Sequence, residues 1–140
     1  MPRIKLDMPD DFVFTAELPV RITDINYGGH LGNDAVLALV HETRVRWLME
    51  HQWTEFNVEG VGIIMTDAAV VYKSEAFYGE SLRVQLSVRD LTTLGCDLYY
   101  RVRERESGRD VAHVKTGIAF FDYAQRKLAP VPEPFRKLFG

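Results

Sequence analysis

Hydrophobic and polar residues follow different patterns in different parts of the chain, and each pattern predicts an element. Residues 12–25 place apolar side chains among polar neighbours, which predicts an extended segment interrupted at Pro19. The run from about Asn33 to about His51 predicts a helix, with Asp34 in its first turn to complement the helix dipole. The first half of this helix is apolar almost all round, so we expect other structure to wrap it.

The rest of the chain is predicted to be mostly strand. Apolar and polar residues alternate without a break over 82–89, so one face of this strand should be buried and the other exposed to solvent. Residues 106–109 predict a hairpin turn. Further strands are predicted over 63–73, 97–104 and 111–122, and a short closing helix over 135–138.

The order of these elements predicts the fold class. One long helix against about five mostly antiparallel strands is an α+β arrangement, in which the sheet curls around the helix. A sheet of this kind has exposed edge strands that a second copy could pair, so a homodimer is the natural closed unit. The 140 residues fit a single domain over 1–140.

Composition narrows the class of protein. The chain is 46% hydrophobic with a net charge of −3, which favours a folded soluble protein over a disordered or nucleic-acid-binding one. Cys96 is the only cysteine, so no internal disulfide can form, and its spacing from the four histidines suggests no metal site. The N-terminus carries charges where a signal peptide would be apolar, and no stretch is long enough to span a bilayer. We therefore expect a cytoplasmic protein without a membrane partner.

The candidate chemistry lies just ahead of the long helix, in Asp24-Ile25-Asn26-Tyr27-Gly28-Gly29-His30-Leu31-Gly32-Asn33. The first free N–H groups of the helix point back at these polar residues and favour negative charge. Polar groups that converge on a helix N-terminus can hold a developing oxyanion, so the segment is a candidate acyl-transfer site. The alternative is a polar turn in which Asn33 only caps the helix.

The pattern Asp24-x-Asn26-x-x-Gly29-His30-Leu31-Gly32-Asn33, followed by the helix, resembles the hotdog-fold thioesterases, specifically the 4-hydroxybenzoyl-CoA thioesterase-like acyl-CoA thioesterases. The segments His41–Arg44, Val71–Tyr72 with Gly79–Leu82, and Val131–Arg136 resemble the family in the same order. The resemblance implies a curved antiparallel sheet around one central helix, and dimers joined sheet edge to sheet edge, often as tetramers. It implies hydrolysis of an acyl-CoA to a carboxylic acid and coenzyme A, which is part of the substrate, with no cofactor.

The chain departs from the family at Asn26, where relatives have the aspartate that acts as nucleophile or base. A neutral amide cannot take a proton from water, although it can hydrogen-bond the water or the thioester carbonyl. Three hypotheses follow. Glu42 could act as base across the dimer, as in another hotdog branch, or simply pair with Arg46. His30 could be the base, as the resemblance to plant acyl-ACP thioesterases implies, or could only orient the loop beside Gly29. The site could also bind acyl thioesters without hydrolysing them efficiently.

The remaining predicted roles belong to the same loop and to the strand after the helix. The amide N–H near Asn33 is the expected oxyanion donor, and Asp24 is the expected buried acceptor that holds the loop in shape. Tyr72 and Lys73, with Arg83 and Arg103 on neighbouring predicted strands, could bind the coenzyme A phosphates. The alternative is that these basic residues only lie on the solvent-exposed faces of their strands. A hotdog hydratase or dehydratase is a further alternative without a matching motif. The predicted substrate-binding residues are Tyr27, Gly29, Gly32, Tyr72 and Lys73.

Overall fold

The computed structural model describes residues 4–140 and contains six strands and two α-helices. In chain order they are β1 (Phe14–Pro19), α1 (Asn33–Glu50), β2 (Gly62–Tyr72), β3 (Ser81–Arg89), β4 (Gly95–Glu104), β5 (Asp110–Asp122), β6 (Lys127–Leu128) and α2 (Glu133–Phe139). The predicted α+β class is confirmed, as are both predicted helices and the four predicted strands that follow α1. The predicted segment over 12–25 is only partly a strand, and β6, of two residues, is an addition.

All six strands form one antiparallel sheet, in the order β1-β3-β4-β5-β2, with β6 paired to the end of β5. The alternation in β3 holds for its apolar face, because Leu82, Val84 and Leu86 are fully buried. The polar face is exposed at Arg83 but not at Ser87, which is buried and donates a hydrogen bond to the carbonyl of Asp11. β1 and β2 are the edge strands. Because β2 has a neighbouring strand on one side only, its last residue, Tyr72, can reach the start of α1.

The core lies between the sheet and one face of α1. Trp47 and Leu48 are fully buried on that face, and Trp47 packs edge-on against Phe135 and Phe139 of α2, with ring centroids 6.0 and 5.1 Å apart. This contact fixes the C-terminal half of α1 and closes the open end of the sheet. No helix of residues 4–140 is both long and apolar enough to cross a membrane.

One expectation about these elements is wrong, and two features of α1 add to what the sequence predicts. The extended segment stops at Pro19, whose nitrogen cannot donate to a strand ladder, and a 3-10 turn follows over Ile22–Asp24. Within one chain the first half of α1 is covered on one side, and Leu37 (41% exposed) and Ala38 face outward. Arg44, a charged residue in the second half of α1, is buried, and Glu55 and Tyr100 accept its hydrogen bonds.

Candidate active site

The loop ahead of α1 is built around the side chain of Asn26. Its Oδ1 accepts the backbone N–H of Gly28 at 2.9 Å and, at a longer 3.5 Å, that of His30. The backbone N–H of Asn26 donates to the carbonyl of His30 at 2.9 Å, and Gly29 has a φ of +84°, which glycine adopts without strain. Because Oδ1 is committed to the turn, the side-chain NH₂ is the part of Asn26 left for another partner.

Asp24 lies beneath the loop and is buried at 6% exposure. Its carboxylate accepts the backbone N–H of Arg21 at 2.8 Å and faces the Arg21 guanidinium at 3.3 Å. Its carbonyl accepts the N–H of Gly32 at 2.9 Å. Asp24 thus joins the 3-10 turn to the first residue before α1, and its carboxylate is occupied by Arg21 rather than directed at a ligand.

The start of α1 carries free donors. Gly32 is the N-cap, in an extended conformation with φ −72° and ψ 152°, and makes no side-chain cap bond. The alternative in which Asn33 caps the helix is therefore wrong, because Asn33 is the first helical residue. Among the described residues, the backbone N–H groups of Asn33 and Asp34 have no protein acceptor. A Cβ on Gly32 would lie 2.7 Å from Asp34 Oδ1, so glycine leaves room at this end.

Asn33 lines a cleft of about 220 Å³ between the loop, the start of α1 and the segment that follows β2. The hydroxyl of Tyr72 donates to the carbonyl of Asn33 at 3.2 Å and ties the end of β2 to the helix. The cleft is lined by His30, Leu31, Asn33, Val36, Tyr72, Lys73, Ser74, Glu75, Ala76 and Val111.

His30 is one of the residues that line this cleft. Its Nδ1 lies 3.2 Å from the carbonyl of Leu31. Because a carbonyl can only accept, Nδ1 carries the proton of the neutral ring and Nε2 keeps a lone pair. Nε2 faces Oε1 of Glu75 at 3.8 Å, and the side chain is 30% exposed. His30 therefore has an accessible proton acceptor whose orientation is set by the backbone of the next residue.

The segment after β2, residues 73–80, is held by Arg109. The Arg109 guanidinium donates to Ser74 Oγ at 3.1 Å, to the carbonyl of Glu75 at 2.9 Å and to the carboxylate of Glu80 at 3.1 Å. Ala76 is fully buried, and its carbonyl accepts the N–H of Leu31 at 2.8 Å. The two walls of the cleft are thus joined directly by backbone.

Glu42 lies outside this cleft. Its carboxylate accepts Arg46 Nε at 2.8 Å on the exposed face of α1. It lines a second cleft of about 240 Å³, together with Leu18, Pro19, Arg21, Ala38, Leu39 and Arg46. Nine residues of helix separate Glu42 from Asn33, a rise of about 13 Å at 1.5 Å per residue. Within one chain, Glu42 therefore cannot reach a group bound at the start of α1.

The structure brings four of the predicted site residues into the first cleft: His30, Asn33, Tyr72 and Lys73. Tyr27 is fully exposed and does not line the cleft, while Asn26, Gly29 and Gly32 belong to the loop that leads into α1. Sequence reasoning missed Ser74 and Glu75, although their position directly after Tyr72 and Lys73 was a signal. Residues 4–140 contain no group of three or more His, Cys, Asp or Glu side chains that could hold a metal ion.

Comparison with known proteins shows the family and the fold. A family model described as the thioesterase-like superfamily matches residues 20–139. A 1,4-dihydroxy-2-naphthoyl-CoA thioesterase from Synechocystis superposes with a TM-score of 0.81 at 24% identity, over 89% of this chain and 93% of that chain. PA2801 of Pseudomonas aeruginosa gives 0.84 at 21% identity, over 91% and 98%. SAV2348 of Staphylococcus aureus, in complex with CoA, gives 0.81 at 17% identity, over 95% and 84%.

None of the curated protein sequences matches this chain. At such identities the solved structures establish the fold alone, and the family model establishes the family because it covers most of the chain. The resemblance carried by Asp24, Asn26, Gly29, His30 and Asn33 is therefore confirmed at the level of family and fold. The chain belongs to the thioesterase-like superfamily and has the hotdog fold.

Proposed function

We propose that this protein hydrolyses an acyl-CoA thioester to a carboxylic acid and coenzyme A. The observation that carries the proposal is that one cleft is lined both by Asn33, whose backbone N–H has no protein acceptor, and by His30, whose Nε2 keeps a lone pair in the neutral ring. An N–H donor at a helix start stabilises a developing oxyanion, and an imidazole nitrogen can accept a proton from water. Thioester hydrolysis needs both groups beside one carbonyl.

In the proposed mechanism the thioester carbonyl oxygen accepts the N–H of Asn33. His30 Nε2 takes a proton from a water molecule as the water oxygen attacks the carbonyl carbon, and the carbonyl electron pair moves to the oxygen held by Asn33. When the tetrahedral intermediate collapses, the carbon–sulfur bond breaks and the thiolate of coenzyme A takes the proton from His30. The acid product then loses its proton to solvent. Asn26 holds the loop that places His30.

The second part of the substrate is coenzyme A, whose phosphates need cationic partners. Lys73 lines the same cleft as His30, and a lysine ammonium binds phosphate as a point charge. One structural relative, SAV2348, is in complex with CoA. We propose that Lys73 meets the phosphates while the acyl group lies between α1 and the sheet.

Glu42 remains the alternative base, and it would have to come from a second copy of the chain. We propose a homodimer, or a tetramer of dimers, in which the edge strand β2 pairs with its copy and covers the exposed part of α1. Even there, the Glu42 carboxylate already accepts a hydrogen bond from Arg46 Nε at 2.8 Å. His30 lies in the cleft of its own chain, so we assign the base to His30.

The substitution Asn33→Pro tests the oxyanion donor. Proline removes the N–H of Asn33, yet it is favoured at the first position of a helix, and Gly32 already has the extended conformation required before proline. Asn33→Ala is the matched control, because it removes the same side chain and keeps the N–H. Thiol release would be measured with the wild type and both variants on short, long and aromatic acyl-CoAs.

We expect the wild type to hydrolyse at least one substrate and Asn33→Pro to lower kcat by about a hundredfold or more, as loss of an oxyanion donor does. Asn33→Ala should stay within about threefold of the wild type, because the backbone N–H remains. Equal rates for Asn33→Pro and Asn33→Ala would remove Asn33 from the mechanism. Tight acyl-CoA binding without thiol release would favour a binding protein, and water addition to an enoyl-CoA would favour a hydratase.

A further inference from the structure

The first cleft contains a carboxylate that the proposed mechanism does not yet use. The loop ahead of α1 supplies none to it, because Asn26 is a neutral amide and the Asp24 carboxylate is occupied by Arg21. Among the described residues that line the first cleft, Glu75 is the only acid. It is contributed by the segment after β2, and not by the loop or by α1, where the family pattern directs attention.

The geometry around Glu75 suits a water molecule. In the neutral ring His30 Nε2 has a lone pair, and it lies 3.8 Å from Glu75 Oε1, which can also only accept. Two acceptors at this distance cannot bond to each other. A water molecule has two protons and can donate one to each of them, which fixes the direction of its oxygen lone pairs.

The backbone of Glu75 is fixed although its side chain is 62% exposed. Its carbonyl accepts Arg109 Nη2 at 2.9 Å, and the next residue, Ala76, is fully buried and accepts the N–H of Leu31. His30 precedes Leu31 directly. The acid and the imidazole are therefore held to each other by one backbone hydrogen bond across the cleft, which is the kind of support that a reactive pair requires.

We propose that Glu75 is a catalytic carboxylate of the thioesterase reaction, which orients the attacking water together with His30. This inference rests on the proposed function. The water donates one proton to Nε2 of His30 and one hydrogen bond to Oε1 of Glu75, and its oxygen forms the new bond to the carbonyl carbon. Once Nε2 is protonated, the Glu75 carboxylate faces a cation and stabilises it until the thiolate leaves with that proton. Glu75 itself begins and ends the cycle ionised.

Three variants at one position test this role, namely Glu75→Gln, Glu75→Ala and Glu75→Asp, measured beside the wild type by thiol release and thermal unfolding. Glu50→Gln is the matched control, because Glu50 is an exposed acid at the end of α1 outside the cleft. We expect Glu75→Gln and Glu75→Ala to lower kcat by about 10- to 100-fold, with KM within about twofold. Glu75→Asp should recover part of the loss, and Tm should not change.

The other outcomes separate this inference from the proposed function. If the wild type hydrolyses acyl-CoA and the Glu75 variants keep its kcat, the role of Glu75 is wrong and the function stands. A lower KM at unchanged kcat would make Glu75 only a charge that repels the coenzyme A phosphates. A fall in Tm that accounts for the lost activity would make its role structural. No thiol release by the wild type on any acyl-CoA overturns the proposed function and the role of Glu75 with it.

Discussion

Arg44 is the side chain on which the position of α1 depends most directly. It is 6% exposed, and its guanidinium donates to Glu55 at 2.9 Å and to the hydroxyl of Tyr100 at 3.1 Å. Tyr100 is itself fully buried and shares a hydrogen bond with Thr116 at 3.1 Å. Arg44 therefore joins the helix to β4 and to the segment between α1 and β2.

The substitution Arg44→Met keeps much of the apolar stem and removes both hydrogen bonds. Glu55 would retain His41 as a donor and Tyr100 would retain Thr116, so neither partner is left wholly unpaired. Losing two bonds of a buried cation should then cost about 2–4 kcal/mol of unfolding free energy. For a domain of this size we expect a fall in Tm of about 10 °C.

Arg46→Met is the matched control, because it changes the same residue type two positions further along the same helix. Arg46 also has an ion pair, to Glu42 at 2.8 Å, but both side chains are about half exposed. A pair of that kind contributes about 0–1 kcal/mol. Both variants replace an arginine by methionine, so the difference between their losses of unfolding free energy measures the effect of burial.

The loss of unfolding free energy caused by Arg44→Met should depend on pH. Burial raises the pKa of Glu55, but the hydrogen bonds from Arg44 and His41 outweigh this effect, and the pKa lies below its ordinary value of 4.5. A carboxyl whose pKa is lowered by folding contributes stability above its unfolded pKa and loses it as the pH falls through its folded pKa. The free energy of unfolding that Arg44→Met loses relative to the wild type should be largest at pH 7 and should become smaller below about pH 4.5.

Urea unfolding of the wild type and both variants at several pH values is the assay, because it gives the free energy of unfolding directly. Equal losses for Arg44→Met and Arg46→Met at pH 7 would refute the reasoning. So would a deficit for Arg44→Met that stays constant down to pH 3.

Other predictions concern binding, the loop and the buried thiol. Lys73→Ala should raise KM for acyl-CoA about tenfold, because one contact to a phosphate is lost. KM for an acyl-N-acetylcysteamine, which has no phosphate, should not change. Equal effects on the KM values of both substrates would refute phosphate binding by Lys73. Asn26→Ala should lower the free energy of unfolding by about 1–2 kcal/mol, whereas Asn26→Asp should not, because an aspartate at this position still accepts the N–H of Gly28. Equal losses for the two variants in thermal unfolding would refute this prediction. Burial raises the pKa of Cys96 to about 12, so a thiol reagent at pH 8 should modify it only in urea, and modification of the native protein would contradict its burial.

Most helices and strands could be predicted from the sequence because each depends on a pattern within its own segment. The unbroken alternation of 82–89 predicts β3, and the glycine-containing turn at 106–109 predicts the hairpin into β5. Burial of a polar residue was not predictable in the same way. Arg44 looks like part of a polar helix face, and its partners are 11 and 56 residues away in the chain.

The site was predictable only in part, for the same reason. The loop and the helix start are contiguous, so the motif itself indicates that His30 and Asn33 are neighbours. Glu75 joins them through the hydrogen bond between Leu31 and Ala76, a pairing across 45 residues that no local pattern reveals. Glu42 has a suitable spacing from Asn26, but the rise of the helix places it in a different cleft.

The central claim is that His30, in the cleft of its own chain, is the base of an acyl-CoA thioesterase. The most direct test is thiol release by the wild type, His30→Ala and Glu42→Ala, with a substrate found active in the acyl-CoA panel. We expect His30→Ala to lower kcat by about a hundredfold or more, as loss of a general base does. Glu42→Ala should stay within about threefold, because Glu42 lies in the second cleft. Activity that survives His30→Ala and disappears with Glu42→Ala would contradict this account and move the base to the helix of a second copy.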